Sequence, residues 1–146
     1  MIAFFNKFRI GLLPMYVLLA ILINSVTSCG KAELEIQNDF PFEVKVMPVP
    51  KEIANGNTVE IRLTIQPTGI YSNTQYFIRY FQFDGQGTLQ YYDAPAYLPN
   101  DLYPLQEKQF KLYYTSNSTV SQSFDVWISD NFGNERQLSF EFNSSD

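Results

Sequence analysis

Between residues 58 and 66, apolar and polar side chains alternate without a break. Val59, Ile61, Leu63 and Ile65 fall on one side, and Glu60, Arg62, Thr64 and Gln66 on the other. Successive side chains of an extended chain point to opposite faces, so this order predicts a strand buried on one face and wet on the other. A helix would instead repeat its apolar positions every three or four residues. Asn55-Gly56-Asn57 supplies a turn before the segment, and Pro67-Thr68-Gly69 ends it.

The same period recurs along the chain. Thr74 to Phe83 carries Tyr76, Ile78 and Tyr80 on one face, and Asp84-Gly85-Gln86-Gly87 turns it toward a segment from Thr88 to Tyr92. Lys108 to Thr115 places Phe110, Leu112 and Tyr114 inward, and the next strand does the same with Phe124, Val126 and Ile128. Asp130-Asn131-Phe132-Gly133-Asn134 reads as a turn, after which Leu138, Phe140 and Phe142 line the last strand. Trp127 lies opposite Val126 and Ile128, which predicts a ring partly exposed or under a loop. Upstream, Glu33 to Gln37 and Phe42 to Met47 read as a split first strand. Pro41, Pro48 and Pro50 confine that region to a sheet edge, because proline cannot donate to a ladder. Val, Ile, Phe and Tyr dominate these segments. Seven or eight short antiparallel strands over residues 40–146 predict one all-β domain, an immunoglobulin-like β-sandwich, with a closed barrel as the alternative.

The N-terminus has a different character. Lys7 and Arg9 precede an uncharged apolar run from Ile10 to Ile23. This run is shorter than the roughly 20 residues a membrane-spanning helix needs, and Pro14 weakens it further as a helix. Val26-Thr27-Ser28-Cys29 follows: a bulky aliphatic residue, two small residues, then the chain's one cysteine. Residues 1–28 therefore read as a lipoprotein signal peptide, with Cys29 as the lipidation site and residues 29–39 as anchor and short linker. The competing reading is an ordinary signal or a retained anchor with an incidental cysteine. Each buried methylene of an acyl chain contributes about 0.8 kcal/mol, so more than one chain gives stable attachment. Gly30 and Lys31, rather than Asp, follow the cysteine, which favours the outer membrane within the cell envelope.

Composition narrows the chemistry. From Cys29 onward there are eight Lys and Arg against fifteen Asp and Glu, a net charge of −7. Such a domain repels phosphate backbones, which argues against direct nucleic-acid binding. With no histidine, the commonest general base and the commonest metal ligand are both missing. The lone thiol is assigned to lipid, and no Ser-Lys or carboxylate motif marks a nucleophile with its base. Asp84, Asp93, Asp101 and Asp130 fall in turns, where Asp hydrogen-bonds the nearby backbone. Neither Asp84 nor Asp130 has the ligand spacing of a dedicated calcium loop. The expectation is a non-enzymatic domain with no metal and no cofactor.

One loop stands out. Tyr91 to Leu105 holds Tyr91, Tyr92, Tyr97 and Tyr103 among Pro95, Pro99 and Pro104. Rigid loops rich in tyrosine suit binding surfaces, because the ring offers area and a hydroxyl at small entropic cost. These four tyrosines are the candidate partner-binding residues. The competing reading has Leu98, Leu102 and Leu105 pinning the crossover to the sandwich while the tyrosines cover its rim. That reading is favoured for Leu98 and Leu102, and is evenly matched for Tyr92 and Tyr97.

Several motifs together resemble one family. Tyr76-Phe77-Ile78-Arg79-Tyr80-Phe81-Gln82, Asp84-Gly85-Gln86-Gly87, Leu98-Pro99-Asn100-Asp101 and Leu112-Tyr113-Tyr114-Thr115-Ser116 are similar to the TraQ family of conjugative-transposon proteins. Asp130-Asn131-Phe132-Gly133 and Leu138-Ser139-Phe140-Glu141-Phe142-Asn143 fit the same pattern, so the likeness runs from Phe40 to Asn143. The acidic run that often follows the lipid cysteine in that family is here only Lys31-Ala32-Glu33-Leu34-Glu35. The resemblance implies a context, DNA transfer between cells, and carries over no catalytic or binding residues. The expected role is an accessory lipoprotein of a transfer apparatus, held to the membrane through lipid on Cys29 and acting on envelope proteins. The alternative is a surface adhesion module that binds a glycan or a peptide.

Overall fold

In a computed structural model, residues 38–146 are described, and they form nine strands and no helix. The expected signal segment, Cys29 and the strand expected at Glu33 to Gln37 lie outside the described residues. The strands are β1 (Phe42–Val46), β2 (Glu52–Ile53), β3 (Thr58–Pro67), β4 (Tyr76–Asp84), β5 (Gly87–Tyr91), β6 (Tyr103–Leu105), β7 (Gln109–Ser116), β8 (Gln122–Asp130) and β9 (Glu135–Ser144). They make two sheets, β1-β3-β7-β5 and β2-β9-β8-β4-β6. All pairings are antiparallel except β2 with β9.

Alternation sorts the faces as expected. Val59, Ile61, Leu63 and Ile65 of β3 are buried, as are Phe110, Leu112 and Tyr114 of β7, the strand it pairs with. From the other sheet Tyr76, Ile78 and Tyr80 of β4 and Phe124, Val126 and Ile128 of β8 join the same core. Each such side chain contributes about 1.5–3 kcal/mol on burial. The centre is aromatic: Tyr114 stacks on Phe124 at 4.3 Å, and Phe124 on Phe140 at 5.1 Å. At one end the core takes in polar groups. The Tyr114 hydroxyl donates to Gln122 Oε1 at 2.7 Å, and Gln122 Nε2 donates to Ser116 Oγ at 2.8 Å. Gly87 closes this end without a side chain, since a Cβ there would lie 2.2 Å from the Tyr114 hydroxyl.

Three departures from the sequence expectation have physical causes. First, Asp84 to Gly87 does not close a hairpin: β4 and β5 belong to different sheets, so the turn carries the chain across the sandwich. Second, a short strand that the alternation did not predict follows Pro48 and Pro50. There the chain leaves β1 at the edge of one sheet and joins the edge of the other as the two-residue β2. Third, Leu138 is only half-buried. It sits on β9, whose far side is covered by β2 at Asn143 and Ser144 alone. Trp127 is half-buried and faces outward as expected, with the Arg79 guanidinium 4.8 Å from its ring. Asp130 serves its turn, accepting hydrogen bonds from the Phe132 and Asn134 amides, both at 2.9 Å.

Candidate functional site

The loop from Tyr92 to Leu102 connects two sheet edges, β5 on one sheet and β6 on the other. Two backbone bonds fix it. The Tyr97 amide donates to the Leu89 carbonyl of β5 at 2.7 Å, and the Asn100 amide to the Tyr80 carbonyl of β4 at 2.8 Å. The second bond is available because β6 pairs with β4 only from Tyr76 to Ile78, leaving the carbonyl of Tyr80 open. Leu98 to Asp101 closes a turn with Pro99 second and Asn100 third at φ 67°, the geometry of a type II turn. Tyr92 also has a positive φ, 45°, which is rare for a bulky residue and marks the point where the chain leaves β5.

The four tyrosines form two pairs. Tyr97 stacks on Tyr103 with centroids 4.4 Å apart, and Tyr91 meets Tyr92 edge to face at 4.8 Å. Tyr97 is core, with 8% of its surface exposed, while Tyr91, Tyr92 and Tyr103 are half-buried. Tyr91 also leans on Phe110 at 5.9 Å. Burial first, then neighbouring Tyr91 and Tyr103, pushes the Tyr97 hydroxyl well above the usual tyrosine range. The Tyr103 hydroxyl accepts the Leu98 amide at 3.0 Å, and the Tyr92 hydroxyl reaches Glu107 Oε2 at 3.4 Å.

The leucines reverse the expectation. Leu98 and Leu102 are exposed by 62% and 58%, so they do not pin the loop; Tyr97 and Leu105 do. The type II turn between them explains this. With Asn100 tied to β4 and Tyr97 turned inward, the ends of so tight a turn are held out in solvent. The Pro99-Asn100 pair was the signal for it. The result is an apolar tip carrying Asp101 on a rigid frame, suited to docking against another surface. Its groups are rings, leucines and backbone, which offer contact area rather than a nucleophile and base.

Beside Tyr92 an open groove of about 390 Å³ runs over the outer face of β3 and β7, lined by Met47, Arg62, Thr64, Gln109 and Lys111. Glu60 organises the charge next to it. Its carboxylate takes Arg62 Nε, Lys111 Nζ at 3.1 Å and the Tyr113 hydroxyl at 2.9 Å. These three donors, Arg62 foremost, hold the Glu60 carboxyl down to about 2. The same bond pushes the Tyr113 hydroxyl up.

The family model described as TraQ conjugal transfer protein matches residues 12–145. The chain belongs to the TraQ family. Three solved structures are similar to this TraQ-family chain. A conjugative transposon lipoprotein from Bacteroides eggerthii is 46% identical, with a TM-score of 0.68 over 72% of this chain and 99% of its own. A lipoprotein from Bacteroides thetaiotaomicron is 49% identical, with a TM-score of 0.66 over 78% of this chain and 88% of its own. A conjugate transposon protein from Bacteroides vulgatus is 50% identical, with a TM-score of 0.65 over 77% of this chain and 91% of its own. Among curated proteins, none matches this chain.

Proposed function

We propose that this TraQ-family protein is an accessory lipoprotein of a conjugative DNA-transfer apparatus, anchored in the envelope through Cys29 and acting by protein–protein contact. The observation that carries this reading is the family match over residues 12–145, joined by relatives described as a conjugative transposon lipoprotein, a lipoprotein and a conjugate transposon protein. Cleavage after residue 28 leaves the domain tethered at its N-terminal end, with Gly30 and Lys31 favouring the outer membrane. The sandwich is immunoglobulin-like in its strand order. The sets β1-β3-β7-β5 and β2-β9-β8-β4-β6 parallel the two sheets of that fold, except that β5 and β6 exchange their order along the chain. The function is non-enzymatic and needs no direct contact with DNA, in keeping with the acidic surface.

Of the four candidate tyrosines, Tyr92 belongs to the partner surface together with Leu98 and Leu102, while Tyr91, Tyr97 and Tyr103 hold that surface in shape. Exposed apolar area on a rigid loop suits a protein partner, since little entropy is lost on binding. The test is mating from a donor whose chromosomal copy is deleted, complemented by wild type, by Cys29→Ser, or by Leu98→Ser with Leu102→Ser. Transfer should fall on deletion, return with wild type, and stay low with both variants, the leucine pair remaining folded and lipidated. Normal transfer by the deletion strain would overturn the reading. Normal transfer by the folded leucine variant would move the partner surface elsewhere.

A further inference from the structure

The outer face of the five-stranded sheet carries a row of aromatic rings. The outward positions of β4 are Phe77, Arg79, Phe81 and Phe83, and β8 adds Trp127 opposite Arg79. Phe83 is exposed by 56% and meets Phe81 edge to face at 5.0 Å. Rings of this size in a row on a water-facing sheet mark an interaction surface more often than a scatter of single residues does. Beside them runs a row of carboxylates. Asp125 pairs across the strands with Phe81, and Glu135 and Glu141 take outward positions on β9. Asp84 accepts the Ser123 hydroxyl at 2.9 Å and lines a hollow with Glu141. Among the described residues, the outward positions of β4, β8 and β9 carry one cation, Arg79, against these carboxylates.

Arg79 shows how such a surface holds a cation. Its guanidinium lies over Trp127 at 4.8 Å, with a nitrogen 3.9 Å from the Glu135 carboxylate. Phe81 with Asp125 repeats the pairing of ring and carboxylate with no cation on it: Asp125 is only 9% exposed, and among the described residues one of its oxygens accepts the Gln137 amide while the other is left at the rim of the face. From this repetition the geometry points to an arginine-bearing segment of a partner protein as the occupant of this face. A guanidinium is flat and weakly hydrated, so it stacks on a ring while bonding a carboxylate at its edge. An ammonium does this less well. A glycan would also stack on rings, but its hydroxyls need donors as well as acceptors. The Gln137 amide, the Arg79 guanidinium and the Ser123 hydroxyl are already committed to Asp125, Glu135 and Asp84, which leaves Ser129, Ser139 and Asn143 as donors beside a surplus of carboxylates. The charge of the face complements a basic partner and repels an acidic one. This surface is distinct from the loop tip, and the binding test does not depend on the transfer role.

Trp127 is the chain's only tryptophan, so its emission reports on this face alone. The protein as extracted from donor membranes, held in detergent, is titrated with capped tetra-arginine, capped tetra-lysine and cellohexaose. The expected result is a saturable change with tetra-arginine at a concentration about fivefold or more below that for tetra-lysine, weakened by salt. Phe83→Ser, at an exposed position, and the isosteric Asp125→Asn should each raise the tetra-arginine midpoint by about the same factor, with melting curves confirming that both are folded. Arg62→Gln on the opposite sheet should leave it unchanged. Three results would overturn the inference: equal response to both peptides, tetra-arginine binding untouched by Phe83→Ser and Asp125→Asn, or saturation by cellohexaose instead.

Discussion

Replacing Tyr97 by alanine should unfold the domain at a markedly lower temperature, although this residue sits in a surface loop. The ring is buried to 8% exposure, lies flat on Tyr103 at 4.4 Å, and fills the gap where the loop crosses between the β5 and β6 edges. Truncating a buried aromatic to Ala costs about 3–5 kcal/mol, and a ring at the margin of the core, where the loop can partly collapse, belongs at the lower end, about 3 kcal/mol. The lost ring contact alone accounts for about 0.5–1.5 kcal/mol of that. In a domain of this size that loss lowers the melting temperature by roughly 10–15 °C. Tyr97→Phe keeps the ring and should cost no more than about 1 kcal/mol. Tyr92→Ala removes a half-buried ring with one long hydroxyl contact and should cost about 1 kcal/mol or less. Thermal melts followed by circular dichroism, with urea titrations for the free energies, distinguish the three. If Tyr97→Ala melts within a few degrees of wild type, or no lower than Tyr92→Ala, then Tyr97 is not a core residue and the assignment of the loop's inner and outer faces is wrong.

Cys29→Ser should leave a larger, unacylated precursor on gels and in metabolic labelling with palmitate; normal cleavage and labelling would remove the lipid anchor from the account. Gly87→Ala should destabilise by about 1–3 kcal/mol in urea, because the new methyl meets a Tyr114 ring fixed by its stack on Phe124, and an unchanged midpoint would contradict that contact. Glu60 has a folded pKa of about 2 against an ordinary 4.5, so its contribution to stability is present above the ordinary value and is lost as pH falls toward 2. Glu60→Gln should therefore flatten the fall in melting temperature between those two pH values, most clearly at low salt, and a slope identical to wild type would exclude Glu60 as its source.

The strands were legible where one face is fully buried and the other wet. From Val59 to Ile65 in β3, Phe110 to Tyr114 in β7 and Phe124 to Ile128 in β8, every second residue is apolar and the structure buries all of them, because a slip of one residue would turn the whole set outward. The turn at Asp130 was legible for a similar local reason, since its side chain bonds amides two and four residues on. Sheet membership was not. Asp84 to Gly87 has the composition of a turn whether the chain folds back on itself or crosses to the other layer, and only the partners of β5 decide. β2 and β6 escaped notice because two or three residues are too short to show a period. In the loop, aliphatic character suggested that Leu98 and Leu102 face inward, but a backbone tie at Asn100 and the plugging ring of Tyr97 outweigh it. A type II turn fixes directions that hydrophobicity alone cannot.

The pairing of strands has a consequence for when this chain can fold. Among the described residues, β8 with β9 is the one pair of strands adjacent in sequence; β1 waits for β3, β3 and β5 for β7, β4 for β6 and β8, and β2 for β9. Each of the others encloses an intervening strand or more, so loop entropy must be lost before contact is gained, and such topologies fold in about milliseconds to seconds rather than microseconds. Neither sheet can be completed until β7 and β9 have emerged, late in synthesis. The exported lipoprotein proposed above gains from that delay. It stays extended and threadable until nearly all of it is available, and forms its layers only once both have arrived on the same side of the membrane.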